Sequence, residues 1–464
     1  MSARWTLALI ALAAALGAWV YFGELRGDER KKEAETAAKR VFGVEPASVT
    51  ALELPLADGK TARVVRAGSD WKLESPVAYP ADPDTVQRAL HALSKIQSTA
   101  TISPAPADLG PFGLGDAGHK VRVFTGAGDP QELVVGSPTP IAGAKYLSVA
   151  NDPSRVFTVE AGDLYGLVPT LVELRDKRLL RVATGGADEL TVRVHGDLVA
   201  HAKRSDTAWQ LAEPETAPGD AEKIRRTLDE LALARATDFA DSPEKPEAYG
   251  LDKPELEVWV HTPTSEERLD FGRAEGKTWL RRGDDPVLLA VNPGVVTAVP
   301  AHAFDYRAKR VLTLEADKVH GLELGYPRSG ETHLFELKGS DWKPAEAGLE
   351  ARPLKVEDLL YAIASLDATG IEAPGADRKA LGLDPALVRL RVLGDKGAEL
   401  GVLSLGDASA DKGIPAASSQ NADLWRVAND LGAQVPLTPE AFKNQFLKAA
   451  LAPAPPAAPP PPSE

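Results

Sequence analysis

The sequence contains no cysteine. This absence excludes disulfide bonds, thiolate nucleophiles, cysteine-ligated zinc, iron–sulfur clusters and a lipidated N-terminal cysteine. Positive charge is also scarce relative to negative charge, with 53 Lys and Arg against 67 Asp and Glu and a net charge of −14. Duplex nucleic acid is bound through a basic face, so we expect no nucleic-acid partner.

The motifs of common catalytic and metal sites are missing as well. The eight histidines form no HxxxH, HxH or HExxH pattern, and neither a GxSxG elbow nor a GxxxxGKS/T phosphate loop is present. His195 and His201 come nearest to a pair, but a surface position is favoured over a metal site. We therefore predict that the protein is not an enzyme and has no catalytic residue, metal site or cofactor. A Ser-His-Asp arrangement brought together by the fold stays open, and the sequence defines no ligand.

Apolar residues are abundant enough to form sizeable cores. Hydrophobic residues make up 44% of the 464 positions, which excludes disorder throughout the chain. At roughly 150 residues per domain, this length predicts about three domains.

An uncharged run of 18 residues occupies positions 5–22, from Trp5 to Phe22. As an α-helix it would be about 27 Å long, close to the roughly 30 Å hydrocarbon core of a bilayer. Arg4 precedes the run, which places the N-terminus in the cytoplasm. We predict a single-pass anchor in the inner (cytoplasmic) membrane, with the lipid bilayer as a partner and the bulk of the chain periplasmic or extracytoplasmic. A cleaved signal peptide is the alternative, disfavoured by the bulky residues at positions 19–22.

Three markers recur in constant order at separations of 132 to 138 residues. The first is a strand tryptophan, at Trp71, Trp209 and Trp342. The second is the glycine of a Gly-Leu pair in a turn, at Gly113, Gly250 and Gly382. The third is a glycine at a strand end, at Gly136, Gly272 and Gly406. We interpret residues 45–180, 181–311 and 312–449 as three tandem homologous α+β repeats with mostly antiparallel sheets.

The rest of the chain flanks these repeats. Residues 1–23 form the predicted transmembrane anchor and residues 24–44 a charged juxtamembrane stalk. Residues 450–464 form a Pro/Ala-rich tail, predicted to be disordered and partly polyproline. A ligand for a proline-reading partner is the alternative interpretation of the tail.

Each repeat is predicted to contain one amphipathic helix packed on its strands. Apolar residues at helical spacing define the buried faces: Val86, Leu90 and Leu93; Ile224, Leu228 and Leu231; Val356, Leu360 and Ile363. We interpret the three marker tryptophans as core anchors rather than as platforms for carbohydrate. Tyr146, Trp279 and Trp425 are assigned to a second set of equivalent strand positions and to the same role.

Basic segments follow the first two repeats and are the most site-like feature of the sequence. Their cations are Arg175, Lys177 and Arg178 after the first repeat, and Arg307, Lys309 and Arg310 after the second. On an acidic body they could bind an acidic partner or form ion pairs between neighbouring repeats. We favour the joint between repeats.

Taken in order, these residues resemble the bacterial DUF4340 family from about residue 5 to 450. The matching stretches are Val20-Tyr21-Phe22-Gly23-Glu24, Asp70-Trp71-Lys72-Leu73 with Pro76 and Ala81-Asp82, Leu174-Arg175-Asp176-Lys177-Arg178-Leu179-Leu180, and Tyr249-Gly250-Leu251-Asp252-Lys253-Pro254. The resemblance implies an envelope protein of unknown biochemical role that accompanies an ABC-type transport system of the gliding-motility kind. It implies membrane-protein partners from that system and no catalytic residues.

Three functional hypotheses follow. The first is a membrane-anchored extracytoplasmic scaffold or binding protein beside a transporter. The second is a cell-envelope module that binds or hydrolyses glycans, and the third is a purely structural spacer.

Overall fold

The computed structural model describes residues 39–449 except 117, 127, 141–142, 244 and 347–348. The predicted anchor, most of the predicted stalk and the tail from residue 450 lie outside the described residues. Among the helices of the described part, none has the length and apolarity needed to cross a membrane. The chain forms two compact units, Met1–Ala183 with Asp229–Val258 and Glu266–Ala298, and Thr184–Leu228 with Trp259–Ser265 and Val299–Glu464.

Strands dominate the described structure and follow one another in three successive groups. The first group is β1 (Ala51–Pro55), β2 (Thr61–Ala67), β3 (Asp70–Ser75), β4 (Tyr79–Pro80), β5 (Ser98–Ile102), β6 (His119–Phe124), β7 (Gln131–Pro138), β8 (Ala144–Val149) and β9 (Val156–Glu160). The second is β10 (Glu189–Val194), β11 (Asp197–Ser205), β12 (Ala208–Glu213), β13 (Ala217–Pro218), β14 (Asp238–Ala240), β15 (Leu256–Thr262), β16 (Ser265–Ala274), β17 (Lys277–Arg282) and β18 (Leu288–Val291). The third is β19 (Gly321–Tyr326), β20 (Glu331–Lys338), β21 (Asp341–Pro344), β22 (Leu349–Ala351), β23 (Gly370–Ile371), β24 (Val388–Leu393), β25 (Glu399–Leu405), β26 (Ile414–Ser418), β27 (Leu424–Val427) and β28 (Leu447–Ala449).

Each group forms a sheet, and the three sheets share one strand order. The first sheet runs β4-β3-β2-β1-β6-β7-β8-β9-β5 and the second β13-β12-β11-β10-β15-β16-β17-β18-β14. The third runs β21-β20-β19-β24-β25-β26-β27-β23, while β22 pairs with β28 in a separate two-stranded sheet. Every pair with a described register is antiparallel. The predicted α+β class with mostly antiparallel sheets is therefore confirmed.

One longer helix lies between the fourth and fifth strands of each group. The described helices are α1 (Pro83–Lys95), α2 (Leu171–Leu174), α3 (Ala221–Leu233), α4 (Gly294–Ala298), α5 (Pro353–Ala364) and α6 (Pro439–Phe446). Asp82 caps α1, because its carboxylate accepts the Thr85 N–H at 2.8 Å and Pro83 needs no partner for its nitrogen. The predicted core faces of α1 and α3 are buried, whereas α5 buries Leu359 more completely than Leu360.

The tryptophans fall into two kinds of position. Trp71, Trp209 and Trp342 lie on β3, β12 and β21 and are 6 to 8% exposed, within the cores. Trp425 is 2% exposed but lies on β27, where it pairs with Ala416 of β26. The assignment of Trp425 to the strand position of Tyr146 and Trp279 is therefore wrong, since those residues lie on β8 and β17.

The core of the first group begins before residue 45. Phe42 and Val44, which the sequence placed at the end of the stalk, are 3% and 6% exposed and pack with the buried residues of the first sheet. Arg40 forms a β-bridge with Gln97, the residue that precedes β5.

The two sets of marker glycines pack against each other in every group. Gly113, Gly250 and Gly382 end short turns with φ values of +65° to +69°. The strand glycines lie beneath these turns: a Cβ atom would lie 2.3 Å from Phe112 O at Gly136, 2.5 Å from Gly250 O at Gly272 and 2.1 Å from Leu381 O at Gly406. The third marker is thus glycine because a main-chain oxygen occupies the space of a side chain.

We expect Gly272→Ala to lower the free energy of unfolding by about 1–3 kcal/mol, because main-chain atoms cannot move aside as a flexible side chain would. Thermal unfolding of the purified protein measures this change. Gly185→Ala is the control, since a Cβ there would meet no atom within 4 Å, and we expect a change below about 0.5 kcal/mol. Equal midpoints for the two variants would contradict the close packing.

Candidate functional site: the buried arginine joints

The basic segments that the sequence singles out are held by main-chain hydrogen bonds on both sides. On the upstream side the bonds are Asp82 N–H to Leu174 O (2.8 Å), Asp176 N–H to Pro80 O (2.9 Å), Asp220 N–H to Tyr306 O (2.8 Å) and Ala308 N–H to Pro218 O (2.8 Å). On the downstream side they are Ala236 N–H to Lys177 O (2.8 Å) and Ala368 N–H to Lys309 O (2.8 Å). Each segment therefore connects two successive sheets through a fixed backbone path.

Arg175 is the centre of the first joint, with its side chain 2% exposed. Its Nη2 lies 2.5 Å from Asp241 Oδ1, just beyond β14 of the second sheet. Its Cζ lies 4.8 Å from the ring centroid of Phe239 and 5.4 Å from that of Tyr79. A guanidinium stays charged even when buried, so the carboxylate and the two rings offset part of the hydration that it loses, while Arg175 Nε and Nη2 make no hydrogen bond within the described residues.

A second buried arginine reaches the same joint from the second sheet. Arg282, at the end of β17, donates from Nη2 to the Tyr79 hydroxyl and from Nη1 to Arg178 O at 2.8 Å. Its Nη2 also lies 3.1 Å from Asp285 Oδ2. Burial raises the pKa of Tyr79, and the nearby Arg282 charge opposes that rise. Tyr79 thus contacts two arginines, one through its ring and one through its hydroxyl.

Arg307 is the centre of the second joint, with its side chain 5% exposed. Its Nη1 donates to Glu215 Oε1 at 2.6 Å, and its Nη2 forms an ion pair with Asp423. Its Cζ lies 5.1 Å from the ring centroid of Trp425. The second joint therefore repeats the chemistry of the first, a buried guanidinium between acids and an aromatic ring, with different residues around it.

Asp176 is a buried acid in the first joint, with its side chain 1% exposed. Its carboxylate accepts from Arg178 Nε at 2.9 Å and Nη2 at 3.0 Å, and Arg181 Nε lies 3.4 Å away. Burial alone would raise the pKa of Asp176, but the hydrogen bonds and charge of Arg178, with the charge of Arg181, hold it below its ordinary value.

The other predicted cations are also paired within the chain. Lys177 Nζ lies 3.2 Å from Asp82 Oδ2, the N-cap of α1. The remaining pairs are Lys309 Nζ to Asp305 Oδ1 at 3.7 Å and Arg310 Nε to Asp367 Oδ1 at 3.1 Å. The structure thus places all six cations in contacts with their own chain.

Within the described residues, the buried arginine of this backbone position is found in the first and second groups, each of which is followed by another sheet. Arg175 forms a β-bridge with Ala81, and Arg307 forms the equivalent bridge with Gly219. In the third group Leu447 pairs with Ala351 at the same position. Leu447 is apolar and 7% exposed. No further sheet follows it among the described residues, so no charge has to be compensated there.

The Arg40 bridge to Gln97 is equivalent to the bridges of Arg178 with Arg235 and of Arg310 with Asp367. The joint arginine lies three residues before Arg178 and Arg310. The residue three positions before Arg40 lies outside the described residues.

The sequence analysis did not identify the residues that contact these arginines. Phe239 and Asp241 follow α3, while Asp423 and Trp425 lie near the end of the third group, 116 and 118 residues from Arg307. The unusual run of aromatic and acidic residues at Phe239–Asp241 was the available signal, but nothing in the spacing links it to Arg175.

A separate open cleft of about 660 Å³ lies along the exposed face of α1. Its lining includes Asp84, Gln87, Arg88 and His91 of the helix and Tyr165, whose side chain is 70% exposed. An aromatic ring beside planar polar side chains is an arrangement that can hold a sugar ring.

The histidines are placed apart from one another. His195 occupies a positive-φ turn position between β10 and β11, while His201 Nε2 lies 3.2 Å from Glu189 Oε2. Within the part of the chain that the structure describes, no group of three or more His, Asp or Glu side chains is close enough to hold a metal ion.

We expect Arg307→Met to destabilise the protein by about 2–4 kcal/mol, because Glu215 and Asp423 lose a buried cation. Hydrogen–deuterium exchange locates the effect, since the Ala308 and Val311 amides donate across the joint and should exchange faster. Arg226→Met is the matched control. Arg226 forms an exposed ion pair with Glu222, so we expect a change below about 0.5 kcal/mol and unchanged exchange at the joint. Unchanged exchange in Arg307→Met as well would refute the joint.

The Asp176 carboxylate should make the first joint sensitive to acid. Its pKa is lower in the folded chain than the ordinary value of about 3.9, so its contribution to stability is present above about pH 4 and is lost as pH falls through the folded pKa. We expect Asp176→Asn to lower the thermal midpoint at pH 7 and the difference from the parent to shrink between about pH 4 and pH 2.

The control for this acid effect is Asp58→Asn. The backbone and side-chain hydrogen bonds of Lys60 also lower the pKa of Asp58, but this residue is fully exposed. We expect little change in its thermal midpoint at either pH. A constant difference between Asp176→Asn and the parent across the pH range would contradict the assignment.

A family model described as "Domain of unknown function (DUF4340)" matches residues 71–254 and 209–384, which together cover more than half of the chain. The matches start at Trp71 and Trp209, 138 residues apart, so one model fits the chain twice, about one marker period apart. No curated protein and no solved structure matches the chain. The chain belongs to the DUF4340 family.

Proposed function

We propose that the protein is a membrane-anchored extracytoplasmic scaffold made of three homologous α+β repeats. In this proposal it is held in the cytoplasmic membrane by residues 5–22, acts beside an ABC-type transport system and catalyses no reaction. The observation that carries the proposal is the pair of buried arginine joints, which connect each sheet to the next.

The joints support a scaffold because they fix the spacing between sheets. A flexible linker between domains is exposed and makes few contacts, whereas each joint here contains a buried guanidinium with acid and aromatic partners. A buried guanidinium that moved away from its acids would be left without compensation, so each joint favours the paired geometry. A fixed connection of this kind is useful for holding partners at a set distance.

The shared strand order supports the interpretation as three repeats. The first two sheets match strand for strand, and the third differs only in that β22 pairs with β28 instead of joining the sheet edge. In repeat proteins each unit contacts its neighbours and the terminal units are atypical. Leu447, at the backbone position of Arg175 and Arg307, is such a departure in the third group.

The membrane assignment is supported by the sequence. The uncharged run at residues 5–22 is followed, after a short charged segment, by the first buried residues at Phe42 and Val44. Such a short connection would keep the first sheet near the bilayer surface. The net charge of −14 disfavours adhesion to anionic lipid, so the anchor would be what holds the protein there.

Glycan binding is the second candidate function, and the cleft beside α1 favours it. Tyr165 is largely exposed there among Asp84, Gln87 and Arg88. A scaffold does not need this cleft. The two functions can therefore be distinguished by whether a membrane protein or a carbohydrate is isolated together with the protein.

We expect the full chain, expressed in a bacterial host, to remain in membranes after an alkaline carbonate wash. A variant without residues 1–23 should become soluble, and a variant without residues 451–464 should stay in the membrane as the matched control. A reporter fused to the C-terminus should be active outside the cytoplasm. Recovery of the full chain in the soluble fraction, or a reporter active only in the cytoplasm, would overturn the membrane assignment.

Purification in mild detergent from the native membrane then tests the role. The scaffold proposal requires an integral membrane protein in fixed ratio with the chain. A bound carbohydrate, lost in Tyr165→Ala, would favour the second candidate. Isolation of the protein alone in every detergent would count against the scaffold.

A further inference from the structure

A Lys-Arg pair occupies the same backbone position before each of the three sheets: Lys39-Arg40, Lys177-Arg178 and Lys309-Arg310. The three arginines form equivalent β-bridges, with Gln97, Arg235 and Asp367. The three lysine carbonyls accept hydrogen bonds, from Ser98 Oγ at 3.3 Å, Ala236 N–H at 2.8 Å and Ala368 N–H at 2.8 Å. The segment that joins successive sheets therefore occurs a third time, at the start of the described residues.

In the two later copies both cations form ion pairs within the chain. Lys177 Nζ lies 3.2 Å from Asp82 Oδ2, and Lys309 Nζ lies 3.7 Å from Asp305 Oδ1. The arginine pairs are Arg178 with Asp176 at 2.9 Å and Arg310 with Asp367 at 3.1 Å. Asp82 belongs to the first group and Asp305 to the second. Each lysine therefore takes its acid from the group that precedes the sheet.

In the first copy the two cations have no such acid. Lys39 and Arg40 are exposed, and neither forms an ion pair with another of the described residues. Gln97 lies opposite Arg40, where the third group has Asp367 opposite Arg310. A neutral amide thus replaces the carboxylate that balances the arginine in the third group, and the charges of Lys39 and Arg40 are available to a partner outside the sheet.

A third unpaired cation lies beside these two. Lys95 is the last residue of α1, is exposed, and forms no ion pair within the part of the chain that the structure describes. Val41 N–H donates to Ile96 O at 3.0 Å, which holds the Lys-Arg pair at this end of the helix. Counted from the aligned helix starts Asp82, Asp220 and Arg352, the equivalents of Lys95 are Leu233 and Ser365. The extra cation is therefore particular to the first group.

The proposed function puts a lipid bilayer where the later copies have a preceding group. Sixteen residues separate Phe22, the end of the uncharged run, from Lys39, and they span at most about 60 Å. Lys39 and Arg40 are the first described residues after that run. Anionic phospholipids attract Lys and Arg near the membrane surface through their phosphates. Phosphate is therefore the negative charge that stands in front of the first sheet.

We propose that Lys39, Arg40 and Lys95 bind the phosphate headgroups of anionic phospholipid at the membrane surface, in place of the acids that pair with the later lysines. The proposal rests on the membrane anchor of the proposed function. An anchor by itself lets the first sheet tilt in any direction. Since the chain has a net charge of −14, the bilayer repels most of its surface and attracts this patch. The anchor thus supplies attachment, and the three cations supply orientation.

The absence of cysteine allows a single dye to be placed beside these cations in the full chain. Thr99→Cys carries the dye, because Thr99 is exposed and lies two residues after Gln97. The labelled chain is reconstituted in phosphatidylcholine vesicles that contain a headgroup-linked quencher, with or without an equal amount of anionic phosphatidylglycerol. We expect quenching to be at least about threefold stronger in the anionic vesicles, and about 1 M salt to remove the difference.

Substitutions in the patch identify the groups that bind lipid. Lys39→Gln with Arg40→Gln and Lys95→Gln should lower quenching in the anionic vesicles to the value in neutral ones. Lys39→Arg with Lys95→Arg keeps the positive charges and should keep the quenching, whereas a purely structural role of the two lysine side chains would not predict this rescue.

The matched control removes three positive charges elsewhere. Lys72→Gln with Lys120→Gln and Lys343→Gln changes exposed lysines that form no ion pair among the described residues, and quenching should stay at the parent value. Equal quenching in neutral and anionic vesicles, with the chain retained after an alkaline wash, would overturn the lipid contact alone. Loss of the full chain from the vesicles in that wash would overturn the membrane assignment and the contact together.

Discussion

A guanidinium cannot give up its proton when it is buried, and this constraint determines how the sheets of the protein are joined. Arg175 and Arg307 are both nearly inaccessible to solvent. Each must therefore find negative charge and polarisable surface among the residues around it. Asp241 supplies the charge for Arg175, and Glu215 and Asp423 supply it for Arg307. The rings of Tyr79 and Phe239 face Arg175, and the ring of Trp425 faces Arg307. A joint that lacked these acids would leave a buried charge uncompensated, at a cost comparable to much of a domain's stability.

The two joints meet the same requirement with different residues, which explains why one motif repeats in sequence while its partners do not. The arginine keeps its place because the backbone bridge fixes where its side chain starts. The acid comes from the end of β14 in the first joint and from the segment before β27 in the second. A carboxylate can reach a guanidinium from several directions, so its position in sequence is free to move.

The contrast between a fixed arginine position and variable partner positions also explains which features the sequence predicts and which it does not. The α+β class, the helix at Asp82, its buried face and the glycine turns follow from periodicity and capping, which act over a few residues. Because the markers occur in the same order in all three groups, the local predictions made for one group apply to the other two. The partners of Arg307 lie 92 and 116 residues away, and no local pattern records such a contact. Trp425 was placed on the wrong strand because aromatic spacing alone does not distinguish β26 from β27, where Trp425 pairs with Ala416.

The third group shows how local and distant constraints combine. Leu447 stands at the backbone position of Arg175 and Arg307, and β22 pairs with β28 instead of joining the edge of the third sheet. The backbone position is thus kept in all three groups, while the side chain depends on what surrounds it. A guanidinium occurs where carboxylates and an aromatic ring are close, and an apolar side chain occurs where two short strands pair and bring no charge that has to be compensated.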